Sequence, residues 1–139
     1  MPVEKSCGGV IFKEGKYLLL RYEWGHWGFV KGNIEKGESL KETFLREAEE
    51  EAGLKKEDLE IIEGFKEKIS YFYRKEGKTI YKEVIYLLAE SKTFDVKLSY
   101  EHTAYDWLEY ENALNRITYK NDRNILIRAH EFLKKMGKL

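Results

Sequence analysis

Residues Gly32 to Leu54 read GNIEKGESLKETFLREAEEEAGL. Their fixed points follow the pattern G-x5-E-x7-R-E-apolar-x-E-E-x-G-apolar, with Gly32, Glu38, Arg46, Glu47, Glu50, Glu51, Gly53 and Leu54 in those places. Glutamate is common in this chain, 21 of 139 residues. Even so, a random chain of this composition shows the whole pattern roughly once in a few hundred thousand trials. The stretch therefore carries information beyond an acidic bias. Its local signals predict a helix over 39–53. Ser39 is a candidate N-cap with Glu42 three residues on, a capping-box pair. Gly53 supplies the stop, because glycine tolerates the left-handed backbone that ends helices.

Glu47, Glu50 and Glu51 are spaced i, i+3 and i+4, so a helix makes them neighbours on one surface. Three crowded carboxylates repel one another, and a hard divalent cation reverses that repulsion by taking their oxygens as ligands. At about 100° per residue, Leu40, Phe44, Ala48 and Ala52 form one apolar stripe, with Glu47 and Glu51 on its shoulder. Glu42, Arg46 and Glu49 fall roughly opposite, where purely solvating charges belong. Carboxylates on the shoulder are partly desolvated, which is costly unless they are paired or bind a metal.

The stretch resembles the signature of the Nudix family at every position. The resemblance implies hydrolysis of a nucleoside diphosphate linked to another group, assisted by Mg²⁺ or, in its place, Mn²⁺. It implies an α/β (α+β) Nudix fold, a mixed β-sheet sandwiched between helices. It implies metal ligation by Glu47, Glu50 and Glu51, with the Gly32 carbonyl and Glu38 as further candidates. It also implies Arg46 as the partner that orients the catalytic glutamates.

Outward from this segment the chain offers no linker, repeat or low-complexity tract, and 139 residues suffice for one cored domain, taken as 1–139. Twenty-five Lys and Arg balance 25 Asp and Glu, so no global field favours a nucleic acid partner. No apolar stretch is long enough for a membrane span or signal peptide. The single Cys7, in CGGVIF, reads as a buried small residue in a reducing compartment. A cytoplasmic monomer is the expectation. Residues 5–13 and 16–22 read as strands joined at Glu14-Gly15, and 60–74 and 78–90 as strands around Lys75-Glu76-Gly77. A short extended piece at Trp27–Val30, a strand at 103–109 and an amphipathic helix over about 120–136 complete the reading, with His130 placed on the surface.

The stretches CGGVIF (7–12), HWGFVKGN (26–33), IIEGFK (61–66), KEVIYLLAE (82–90) and YEHTAYDWL (100–108) are similar to the asymmetric diadenosine tetraphosphate hydrolases within that family. Val30 departs from the pattern, which often has Pro before the Lys-Gly pair. The similarity implies that His26, Lys31 and Lys82 contact phosphates, that Tyr71 and Tyr105 sandwich an adenine, and that Glu101 binds a metal or activates water alongside the catalytic Glu47 and Glu50. Tyr73 and Tyr81 remain alternatives to Tyr71. Other substrates stay open: triphosphorylated or capped RNA 5′ ends, nucleoside triphosphates and ADP-ribose. So does a nucleotide-sensing domain without catalysis, although such domains usually lose box carboxylates and this one keeps them all.

Overall fold

Apolar residues run consecutively through the first two strands, as in Val10-Ile11-Phe12 and Tyr17-Leu18-Leu19-Leu20, which sends alternate ones to each face of a sheet, so both faces need a cover. In the computed structural model, which describes residues 1–139, helices supply both covers. In chain order the elements are β1 (Val3–Lys13), β2 (Lys16–Tyr22), β3 (Trp27–Gly28), β4 (Val30–Asn33), α1 (Leu40–Ala52), β5 (Leu59–Ile61), β6 (Glu67–Lys75), β7 (Lys78–Ser91), β8 (His102–Glu109), α2 (Tyr110–Arg116) and α3 (Lys120–Lys135). The sheet runs β3-β2-β1-β7-β5, with β4 on β1, β6 on β7 and β8 on β2. Its centre is the parallel pair β1 and β7, matched from Val3 with Tyr81 to Phe12 with Glu90. The other pairs are antiparallel. This is the mixed sheet between helices that the sequence led us to expect.

Cys7, Ile11, Leu18 and Leu20 point to one face and pack with Phe44, Ala48 and Ala52 of α1. Val10, Phe12, Tyr17 and Leu19 point to the other and pack with Ala113, Ile117, Ile125, Leu126, Ala129 and Leu133 beneath α2 and α3. Burial raises the Cys7 thiol to about 12, which makes it an inert core residue. Gly9 admits α1 to the sheet, since a Cβ there would run into the Phe44 ring. Both two-residue hairpin turns, Glu14-Gly15 and Glu76-Gly77, have positive φ at both positions, the twist that keeps paired strands together. No helix is long and apolar enough to cross a membrane.

Three departures from the sequence reading have local causes. The run 60–74 is not one strand: β5 pairs with Ala89–Ser91 and β6 with residues 78–86, so both lie along β7. The chain breaks between them at Gly64, whose φ is 96°. The seven-residue α2 was not anticipated; only its Ala113 is fully buried, so it leaves almost no periodic signal. His130 is not a plain surface residue. Its ring stacks on Tyr110 at 3.7 Å, and its Nδ1 lies 2.7 Å from the Tyr17 hydroxyl, which packing against β2 requires.

Candidate active site

Two caps hold α1 in place. The Ser39 hydroxyl accepts the Glu42 N–H at 3.1 Å and Glu42 returns the bond to the Ser39 N–H at 2.9 Å. Gly53 closes the other end with φ 68°, its N–H donating to the Glu49 carbonyl. The helix so fixed turns Glu47 and Glu51 inward, each 8% exposed, where β4 passes over it. Glu50 stands outward, its side chain 56% exposed. Gly32, opposite Cys7 in the β1–β4 pair, leaves the space that the Glu47 carboxylate fills; a Cβ at Gly32 would overlap it.

Arg46 ties this surface together. Its Nε and Nη2 grip Glu38 at 2.7 and 3.0 Å, Nη2 also donates to the Asn33 carbonyl at 2.9 Å, and Nη1 reaches Glu50 at 3.2 Å and Glu47 at 3.4 Å. Glu38 further accepts from Thr43 Oγ1 and the Glu35 N–H, each at 2.9 Å. The Arg46 guanidinium, then these bonds, hold the Glu38 carboxyl down at about 2. Glu38 therefore anchors Arg46 in this structure, instead of offering free oxygens to a metal. Three acidic or His side chains do not converge on a single metal-holding point, because Arg46 draws Glu50 aside.

The buried pair behaves differently. Burial raises Glu47 to about 7, Arg46 opposing and Glu50 reinforcing the shift. Burial and then repulsion from Glu47 raise Glu51 to about 9, against the Lys31 backbone N–H at 3.4 Å. Glu101, exposed in the turn before β8, adds repulsion at both. Two inward carboxylates, with no cation bonded to Glu51, form a pair of hard oxygen donors that suits a divalent cation. Glu47 and Glu51 would hold it, with Glu101 and a released Glu50 in reach of the same face.

Beside this carboxylate surface, on the α3 side of the sheet, opens a cleft of about 850 Å³. Among its lining residues are His26, Lys31, Tyr71, Tyr73, Lys82 and Tyr119. Lys31 joins cleft and carboxylates: its N–H faces Glu51, and its ammonium lies 3.5 Å from the Tyr71 hydroxyl. Burial lowers its pKa, countered by Asp122 and Glu51. Lys82 Nζ is 3.5 Å from Glu4, which also accepts the Tyr73 hydroxyl at 2.6 Å. His26 stacks flat on Tyr22 at 4.5 Å, and burial lowers its pKa. Tyr71 and Tyr73, two apart on β6, share the cleft face; Tyr81 turns the other way and packs on Phe72.

Tyr105 is not in this cleft. It pairs with Leu20, whose side chain belongs to the α1-side core, so its ring points to the opposite face and is 41% exposed. Another aromatic ring lining this cleft is Tyr119, just before α3. Tyr119, Trp24 and the buried Asp122 escaped the sequence reading, as did His102 beside Glu51. The one available signal was position: Tyr119 opens an amphipathic helix, and an element's entrance borders its neighbours' loops.

The capped acidic helix, the mixed sheet and the flanking cleft are those of a Nudix hydrolase, and the chain belongs to the Nudix family: the NUDIX domain model matches residues 4–129. The particular relatives are narrower. The asymmetrical bis(5′-nucleosyl)-tetraphosphatase of Sus scrofa is 39% identical, covering 96% of this chain and 97% of its own. A crystal structure of a Caenorhabditis elegans Ap4A hydrolase binary complex is 34% identical, with a TM-score of 0.84 over 95% of this chain and 98% of that one. An RNA pyrophosphohydrolase of Nitratiruptor is 34% identical over 80% of this chain and 76% of its own. Nudix hydrolases are generally dependent on divalent metal ions.

Proposed function

We propose that this chain, a single domain of residues 1–139, hydrolyses diadenosine tetraphosphate asymmetrically to ATP and AMP with Mg²⁺, Mn²⁺ serving in its place. The observation that carries the proposal is Lys31, whose backbone meets Glu51 and whose ammonium meets Tyr71. One residue thus spans the carboxylate surface and an aromatic cleft, as a substrate with a polyphosphate joined to a base requires. Near-full-length similarity to asymmetrical tetraphosphatases supports the same substrate.

Glu47, Glu50 and Glu51 would hold a divalent cation, which would neutralise charge on the polyphosphate and acidify a water. The Gly32 carbonyl borders that site, and Glu38 acts from behind it by fixing Arg46. Arg46 in turn sets the rotamers of Glu47 and Glu50. Lys31, Lys82 and His26 bind the phosphate chain, which holds the attacked phosphorus still. Glu101, Glu50 or Glu47 accepts the proton of the attacking water. The water oxygen joins that phosphorus, the bridging P–O bond breaks, and the bridging oxygen leaves on the departing nucleotide. Tyr71 and Tyr119 hold the adenine between them. The enzyme acts as a cytoplasmic monomer on a small nucleotide.

The test is a panel of dinucleoside polyphosphates, nucleoside triphosphates, ADP-ribose and triphosphorylated RNA incubated with Mg²⁺ in ¹⁸O water. Diadenosine tetraphosphate should turn over fastest, giving equal ATP and AMP with label in one of them. ADP as the sole product would overturn the asymmetric cut. A second reading, pyrophosphate removal from RNA 5′ ends, is favoured by the Nitratiruptor relative; faster turnover of the RNA would establish it instead.

A further inference from the structure

β8 begins at His102, directly after Glu101. The imidazole is 1% exposed, and its Nε2 is the one buried side-chain polar atom without a hydrogen-bond partner. Facing Nε2 at 3.6 Å is Glu51 Oε1, beyond hydrogen-bond length.

The other edge of the ring fixes where its proton sits. Ser99 Oγ lies 3.1 Å from His102 Nδ1 and accepts the Glu101 backbone N–H at 3.4 Å. The hydroxyl's own proton is thus free to go to Nδ1. With Nδ1 engaged by Ser99, the ring nitrogen left to face Glu51 is Nε2. The ring cannot easily turn away. Tyr22 presses edge-on against it at 4.5 Å, and the Tyr22 hydroxyl donates to the Phe29 carbonyl. The backbone around it is fastened to the same helix: Ser99 N–H donates to the Glu51 carbonyl at 3.2 Å and Lys97 N–H to the Ala52 carbonyl at 2.8 Å.

We infer that His102 is a positioning residue acting through Glu51: its buried, unpartnered Nε2 edge closes onto the Glu51 carboxylate when that carboxylate holds a divalent cation. The bond fixes the rotamer of Glu51 and draws the turn bearing Glu101 onto the same site. A buried ring edge with no other partner, 3.6 Å from the carboxylate, is the geometry such a role needs. The inference rests on the reading of Glu51 as a metal ligand.

Two substitutions separate positioning from space-filling. His102→Gln carries an amide N–H to the place of Nε2, and His102→Asn reaches only the place of Nδ1. Mn²⁺ binding is read by EPR, and the half-saturating Mg²⁺ concentration is read from hydrolysis of diadenosine tetraphosphate. The Asn variant should bind metal about tenfold more weakly or worse, with the Gln variant within about threefold of wild type, the range seen when groups that orient metal ligands are removed. Wild-type metal binding by the Asn variant, or a Gln variant as weak as Asn, would overturn the inference. Should neither variant fold, Ser99→Ala decides: it frees the tautomer and should weaken Mn²⁺ binding, and unchanged binding would overturn it. Wild-type protein that binds Mn²⁺ but leaves the substrate intact refutes the proposed function alone, since the isotherms still test His102.

Discussion

The acidic helix and the aromatic cleft meet at Lys31 but are made in opposite ways. α1 takes its chemistry from one stretch of chain, and helical spacing alone brings Arg46, Glu47, Glu50 and Glu51 to one surface. The cleft draws Trp24 and His26 from a loop, Lys31 from β4, Tyr71 from β6, Lys82 from β7 and Tyr119 from the approach to α3. Reaction type is therefore a local property of this chain, and substrate choice a property of its tertiary structure. The two should also fail differently: damage to α1 removes turnover, and damage to the cleft weakens binding.

The largest expected effect lies in α1. Glu50→Gln keeps the size of an exposed side chain, so the fold should survive with an unchanged Tm. Turnover should fall by about three decades, the scale of losing several kcal/mol of transition-state charge stabilisation. Near-wild-type kcat would break the division between the two regions. The cleft should respond in KM. Alanine at Tyr71 or Tyr119 should raise KM by about five- to a hundredfold, the equivalent of losing a base-stacking partner, with kcat less affected. Tyr105→Ala, on the wrong face, should change KM less than about twofold. Equal effects at Tyr105 and Tyr119 would show that the ring opposite Tyr71 has been misassigned.

Acidity sharpens the comparison further. Glu47 at about 7 and Glu51 at about 9 bind protons more tightly in the metal-free fold than in the unfolded chain. The native state then holds more protons than the unfolded state, and stability falls as pH rises. Metal-free protein should lose Tm between about pH 5 and pH 9, and Mg²⁺ should restore more of it at the alkaline end. Glu38, at about 2, works the other way: its contribution is present at neutral pH and fades as pH falls from the ordinary carboxylate range toward 2. A metal-free Tm that climbs from pH 5 to pH 9 would contradict the buried pair. The smallest effect is at the cap. Ser39→Ala should cost about 1 kcal/mol, a few degrees in Tm, with activity at low temperature unchanged.

Legibility followed the same division. Capping box, glycine stop and shoulder carboxylates were readable because each depends on residues within one helix turn or two. The strands and α3 were readable from apolar period, and the hairpin turns from their glycines. His26, Lys31, Tyr71 and Lys82, named from the resemblance, all line the cleft, and of these only Lys31 abuts the signature. Tyr105 falls outside the cleft because strand alternation gives two faces without saying which one carries it; that depends on pairing with Leu20. Tyr119 and His102 lie far along the chain from what they face, and the one mark on either is the place of Tyr119 at the entrance of α3. Glu38 shows a subtler limit: its spacing was right, but a bidentate Arg46 claims its oxygens.

The most direct test is a Mn²⁺ titration followed by EPR on wild-type protein and on Glu47→Gln. The expected result is saturable binding by the wild type and at least tenfold weaker binding by the variant, at equal Tm. Equal isotherms for the two proteins would contradict the assignment of the inward carboxylates of α1 as the metal site.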